Sequence, residues 1–138
     1  MRQKMIIKGY PMAPHAKPTL YEQIGGQEGI RKGVDLFYKK VLLDGRVSHF
    51  FDKIDMLRLY THQSQFLGYA LGGPEEYKGR DIGEAHRGLV EKHGLEERHF
   101  DIVAEHLLST FIDLGVPEQT RNEIMDIVAS TKDTVLNR

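Results

Sequence analysis

After Thr19, apolar residues recur at steps of three and four along most of the chain, the spacing that lines one face of an α-helix. Ile30, Val34, Phe37, Tyr38, Val41 and Leu42 form the first stripe, and Met56, Leu59, Tyr60, Gln63, Phe66, Leu67, Ala70 and Leu71 the second. Phe100, Val103, Ala104, Leu107, Leu108, Phe111 and Ile112 form the third and cleanest. Ile124, Ile127, Val128, Thr131 and Val135 make the fourth. Strands are hard to find, so the pattern predicts an all-α fold built on four substantial amphipathic helices. Gly25-Gly26, Gly72-Gly73-Pro74 and Gly115-Val116-Pro117 punctuate them, with Pro117 suited to a first helical turn. Between Pro74 and Leu95 stand Gly79, Gly83, Gly88 and Gly94, a glycine load that predicts a loop with a short helix at most.

Two polar side chains interrupt these stripes. Tyr38 follows Phe37 on the buried face of the first helix, and Gln63 lies between Leu59 and Phe66-Leu67 on the second. A buried hydroxyl or amide without a partner costs about 1–3 kcal/mol. They must therefore bond each other, a carbonyl or a buried water, or converge on a bound polar ligand, and spacing alone does not choose.

The 138 residues carry 19 Lys+Arg against 20 Asp+Glu, too even a balance for a general grip on nucleic acid. The charge is unevenly placed. Arg2, Lys4, Lys8 and Lys17 stand among the first 18 residues with no acid, and Pro11, Pro14 and Pro18 forbid a continuous helix there. Residues 1–18 are therefore expected to be a basic, proline-containing extension of a domain spanning 19–138. The longest apolar run near the start is Met5-Ile6-Ile7, short of a signal core or a membrane span, so a cytoplasmic protein is expected.

There are seven histidines and no cysteine. Without thiolates, disulfides, Cys-held clusters, a Cys nucleophile and covalent CxxCH haem attachment are all excluded. His15 and His49 lack periodic context and read as surface, His93 falls in the predicted loop, and His99 and His106 flank the third stripe at its solvent edge. His62 is one helical step off the core-facing direction. His86, with Ile82 four residues before and Leu89 three after, can face inward. A di-iron bundle would need two Glu-x-x-His pairs and inward acids, and only Glu96-x-x-His99 occurs. No zinc-protease, phosphate-loop or nucleophile-elbow motif is present.

Leu20-Tyr21-Glu22-Gln23-Ile24-Gly25-Gly26, Phe37-Tyr38-x-x-Val41-Leu42, Phe50-Phe51, His62-Gln63-x-x-Phe66, Leu71-Gly72-Gly73-Pro74, Tyr77-x-Gly79, Ala85-His86 and His99-Phe100 follow one another in an order that resembles the group I truncated haemoglobins. The resemblance spans about residues 19–138. It implies the truncated globin fold, a two-over-two helical sandwich around one non-covalent b-type haem, in a monomer. Carried over position by position, it makes His86 the proximal metal ligand and Tyr38 and Gln63 the distal donors towards a bound gas. Phe51 becomes the aromatic wedged against the haem. Leu59, Phe66, Ile82, Leu89, Phe100 and Val103 would line the rest of the pocket, and Lys53, Tyr77 and Arg80 would meet the propionates. His62 stands where some members place a second iron ligand and others a lysine reaching for a propionate, and both readings stay open. Certain relatives attach a last-helix histidine to the haem, whereas Ser130-Thr131-Lys132 offers none.

The function that the resemblance implies is reversible binding of O2, NO and CO, with nitric oxide dioxygenation by Tyr38 and Gln63 as a possible activity. An external electron donor or reductase would be required, because the chain has no flavin or dinucleotide motif. The alternatives are a bis-histidyl haem protein for electron transfer or redox and gas sensing, and a haem-free helical interaction module.

Overall fold

The computed structural model describes residues 18–73 and 80–138, with the backbone alone for residues 80 and 81. The expected extension, His15, the segment containing Tyr77 and Gly79, and the side chain of Arg80 lie outside the described residues. In chain order come α1 (Leu20–Gln23), α2 (Gly26–Leu42), a 3-10 turn (Ser48–Phe51), α3 (Met56–Ala70), α4 (Arg80–His93), α5 (Glu97–Asp113), α6 (Glu118–Ser130) and α7 (Lys132–Val135). The fold is a two-over-two arrangement of α2 and α3 with α5 and α6, and no strand occurs among the described residues.

Helix α2 is the axis of the core. Its Ile30, Val34, Phe37, Tyr38 and Val41 are buried, and it packs against α1, α3, α5 and the 3-10 turn. Full burial of one such aliphatic or aromatic side chain contributes about 1.5–3 kcal/mol, so this one stripe outweighs every surface ion pair on the helix. Opposite it, Leu107 and Phe111 of α5 and Ile124 of α6 close the core. Lys40 clamps α2 to α5, with Nζ 2.7 Å from Ser109 Oγ and 2.6 Å from Asp113 Oδ2. At the other end of that crossing, Asp44 accepts from Arg46 N and Nε, both at 3.0 Å, and from His106 Nε2 at 2.7 Å. These donors hold its carboxyl well below the usual carboxylate range, the Arg46 side chain contributing most.

Local chemistry fixes the helix ends. Thr19 Oγ1 accepts from Glu22 N while the Glu22 carboxylate accepts from Thr19 N, a reciprocal cap on α1. Asp55 caps α3 by accepting from Leu57 N at 3.1 Å. Gly72 and Gly115 follow the last residues of α3 and α5 with φ of 90° and 78°, a conformation that a Cβ penalises.

The structure corrects several sequence expectations. The glycine-rich stretch after Pro74 contains a helix of 14 residues, α4, and His93 belongs to its last turn. Gly83 packs against α7, where a Cβ would be in ordinary contact with the Thr134 carbonyl oxygen at 3.4 Å. Gly88 would meet nothing within 4 Å, and a helix tolerates an exposed glycine at about 1 kcal/mol. His99 is buried, with 6% of its surface exposed, and not at the solvent edge, whereas His106 is half-buried at that edge against Asp44. The fourth stripe is divided at Thr131, between α6 and α7. Leu42 and Ile112 are exposed although both belong to predicted stripes.

Gly29, in the first turns of α2, has no room for a side chain. An added Cβ would overlap the Ile24 carbonyl oxygen, a backbone atom that cannot rotate away. Gly29→Ala is therefore expected to lower stability by about 1–3 kcal/mol despite alanine's better helix propensity. Gly45→Ala, where nothing lies within 4 Å, should leave the melting temperature near that of the parent. Equal melting temperatures for both variants would contradict the close approach of α1 and α2.

Candidate functional site

The four main helices do not fill the space between them. A cavity of about 250 Å³ remains, walled by Phe37 and Tyr38 of α2, the 3-10 turn, one face of α3, α4, and the first half of α5. Of the residues singled out in the sequence, Tyr38, Phe51, Leu59, His62, Gln63, Phe66, Ile82, His86, Leu89, Phe100 and Val103 all line it. Lys53 does not; it is exposed on the segment before α3. The wall also includes Phe50, His99, Thr131 and Val135, which sequence reasoning did not place there. Thr131 and Val135 carried a signal, since both belong to the fourth apolar stripe.

His86 enters from α4. Its Nδ1 donates to the carbonyl of Ile82, one turn earlier, at 2.8 Å. A carbonyl can only accept, so the proton of the neutral ring sits on Nδ1 and Nε2 keeps its lone pair. Burial pushes the imidazole pKa down, against the smaller opposing effect of the bond to Ile82. A neutral, oriented imidazole with a free Nε2 is the form that binds a metal, and the Ile82 carbonyl is the outer-shell partner that fixes its tautomer.

His99, on the same cavity wall, has the opposite arrangement. Its Nδ1 accepts from Glu96 N at 2.9 Å, which places the proton of the neutral ring on Nε2 and leaves no free lone pair. A half-buried and a buried histidine thus border one cavity, and their backbone partners separate them chemically: His86 can be a ligand and His99 is a structural cap on α5. No group of three or more His, Cys, Asp or Glu able to hold a metal ion occurs among the described residues. The oriented His86 nitrogen fits a metal whose other ligands come mainly from a cofactor.

Tyr38 is 5% exposed, with its ring in edge contact with Phe37 at 4.9 Å and Phe51 at 6.0 Å. Burial raises its pKa well above the ordinary phenol value, so the hydroxyl keeps its proton. No hydrogen bond joins it to Gln63 or to any other described residue, and the Gln63 amide is likewise without one. Of the alternatives open from the sequence, mutual bonding and bonding to a carbonyl therefore do not occur. Two orphan donors at an apolar cavity that also holds a free imidazole nitrogen are what a flat apolar metal macrocycle carrying a small polar ligand requires. His62 lies beside Gln63 on α3, exposed to solvent and lining the same cavity.

Comparison with known proteins agrees with this chemistry. The family model for bacterial-like globins matches residues 19–137. The group 1 truncated hemoglobin GlbN of Synechocystis is 47% identical over 122 residues, covering 87% of this chain and 98% of the relative. The group 1 truncated hemoglobin of Tetrahymena pyriformis is 41% identical over 120 residues, covering 87% of this chain and 96% of the relative. Among solved structures, the 2/2 hemoglobin of Synechococcus sp. PCC 7002, in the cyanomet state with covalently attached heme, superposes with a TM-score of 0.84. It is 41% identical and covers 88% of this chain and 100% of the other. The family match over residues 19–137 and the shared sequence and fold, on a chain whose cavity presents the oriented lone pair of His86 beside two unspent donors, show that this protein belongs to the bacterial-like globins as a group 1 truncated haemoglobin, a haem protein that binds gases such as O2.

Proposed function

We propose that His86 Nε2 is the proximal ligand of the haem, and that Tyr38 and Gln63 hold the gas by hydrogen bonds in a protein that oxidises nitric oxide to nitrate. The observation that carries this reading is the pairing of one lone pair with two unpartnered donors around a single apolar cavity. When bound, the haem supplies a ferrous iron that takes up diatomic gases and shifts electron density onto them. Tyr38 and Gln63 then have a partially negative acceptor for protons that otherwise have none, a charge-assisted bond that slows escape of the ligand. Because burial keeps the Tyr38 hydroxyl protonated, this donor persists through the alkaline range in which an exposed phenol would ionise. Phe51, Leu59, Phe66, Ile82, Leu89, Phe100 and Val103 hold the macrocycle by apolar contact and exclude water. Tyr77 and Arg80 are proposed for the propionates on the resemblance alone.

Dioxygen and nitric oxide combine to nitrate for one electron, which an external donor must return, since no flavin or dinucleotide motif is present. On the side of the cavity bounded by α7, the lining residues are Thr131 and Val135, neither able to bond a haem vinyl. The haem is accordingly held without a covalent link. No helix among the described residues is long and apolar enough to cross a membrane.

The second reading comes from His62, whose place at the cavity wall lets it reach the iron in the absence of gas and make a bis-histidyl electron-transfer centre. The ferrous deoxy spectrum separates the two. Sharp low-spin bands that collapse to one broad high-spin band in His62→Leu are expected if His62 binds, and a high-spin parent spectrum would remove it as a ligand. His86→Ala should abolish the Soret band of protein purified with haem supplied; an unchanged spectrum would refute the ligand assignment. Stopped-flow mixing of the oxygenated protein with nitric oxide should give nitrate within the mixing time. Tyr38→Phe should release O2 about 10–100-fold faster, the equivalent of about 1.5–3 kcal/mol. An unchanged release rate would reduce Tyr38 to a packing residue.

A further inference from the structure

Helix α4 carries His86, yet the large core formed around α2 barely touches it; α4 packs chiefly against the one-turn helix α7. Several features join the two. Asn137 Nδ2 donates to the Gly83 carbonyl at 3.1 Å, on the residue next to Ile82, whose own carbonyl orients His86. Gly83 faces α7 directly: a Cβ there would be in van der Waals contact with Thr134, 3.4 Å from its carbonyl oxygen and 3.7 Å from its Cγ2, so a methyl fits and a larger side chain would not. Asn137 takes up a left-handed φ of 59°, which asparagine tolerates better than other side chains and which its bond to Gly83 helps to hold.

The other side of α7 is tied to α5. Lys132 Nζ lies 3.0 Å from Glu97 Oε2 and 2.8 Å from Asp101 Oδ1, and it sits 5.6 Å from the centre of the Phe100 ring, which lines the cavity. Arg138 adds a bond to Glu97 at 3.2 Å. Leu136 is buried, and Thr131 and Val135 face the cavity. Four residues and their flanks thus connect the wall that carries His86 to the wall that carries Phe100.

We propose that α7 is the seat of the His86 helix, with Asn137, Thr134 and Lys132 as positioning residues that set where His86 Nε2 meets the haem iron. The proposal rests on the reading of His86 as the proximal ligand. In this arrangement the Asn137 bond and the contact of Gly83 with Thr134 fix the height of α4 above α7, and Lys132 fixes α7 against α5. A shift of α7 is therefore passed to His86 through the turn that also sets its tautomer.

The test uses the full-length haem-loaded protein and two variants, Asn137→Gly and Gly83→Leu. Asn137→Gly keeps the left-handed backbone and removes the side-chain bonds to the Gly83 carbonyl and, within the same turn, to the Val135 carbonyl, while Gly83→Leu forces α4 and α7 apart. Two readouts are taken: the iron–histidine stretch in resonance Raman spectra of the photolysed carbon monoxide form, which is five-coordinate wherever His62 lies, and the rate of haem transfer to excess apomyoglobin. A shifted stretch and transfer at least fivefold faster are expected in both variants. Lys40→Met, which breaks the α2–α5 clamp, serves as the comparison and should lower the melting temperature without moving the stretch. An unmoved stretch with parental transfer rates in Asn137→Gly would overturn the proposal even if Gly83→Leu failed to fold. An iron–histidine stretch that persists in His86→Ala would instead overturn the ligand assignment on which it rests.

Discussion

The hydrogen bond from His86 Nδ1 to the Ile82 carbonyl decides two things at once: the direction in which the ring points and the nitrogen on which its proton resides. Both are set within one turn of one helix, so neither depends on a distant side chain that could be lost by mutation or protonation. The rest of the site is arranged around the lone pair this leaves. Burial at the cavity wall favours the neutral ring and the protonated phenol, and no described residue accepts a hydrogen bond from Tyr38 or Gln63. A buried donor costs free energy until something accepts from it. The site therefore presents two donors to whatever polar ligand enters it, beside the lone pair of His86.

The scaffold meets this need by separating a tightly packed half from a loosely packed one. Around α2, long apolar side chains from α3, α5 and α6 interlock, and polar clamps at Lys40 and Asp44 fix the crossing of α2 with α5. Gly29 and Gly73 mark where chain segments touch too closely for any side chain; at Gly73 a Cβ would lie 2.6 Å from the Tyr21 ring. Tyr38 and Phe51 are anchored in this rigid half. His86 stands in the other, on a helix with few neighbours of its own.

Periodicity made the rigid half legible. Helices α2, α3, α5 and α6 follow their apolar stripes, because each buries a continuous face against the others. Helix α4 was harder to read: its apolar face of Ile82, Ala85 and Leu89 is short and shared with His86, and its glycines resemble loop punctuation. Gly83 gains its meaning only beside Thr134, more than fifty residues away. The reciprocal cap at Thr19 and Glu22 was a local signal that could have been found. His99 shows the limit most clearly. Its sequence neighbours place it at the edge of a stripe, whereas the start of α5 turns it inward and spends its Nδ1 on the Glu96 amide. Which of two cavity histidines can bind metal depends on backbone hydrogen bonds that no residue spacing encodes. Lys53, which the resemblance assigns to a propionate, is exposed on the segment before α3 and is not part of the cavity wall.

The sparse packing of α4 has a thermodynamic consequence. A helix with few apolar neighbours contributes little to the cooperative core, so opening it costs less than opening α2 or α5. A ligand that touches both the rigid half and α4 joins them into one cooperative unit, adding stability that grows with its concentration relative to its dissociation constant. The folded population of this protein is thus linked by mass action to the supply of its cofactor. Cellular haem becomes a determinant of how much intact globin exists, as well as of how much of it is active.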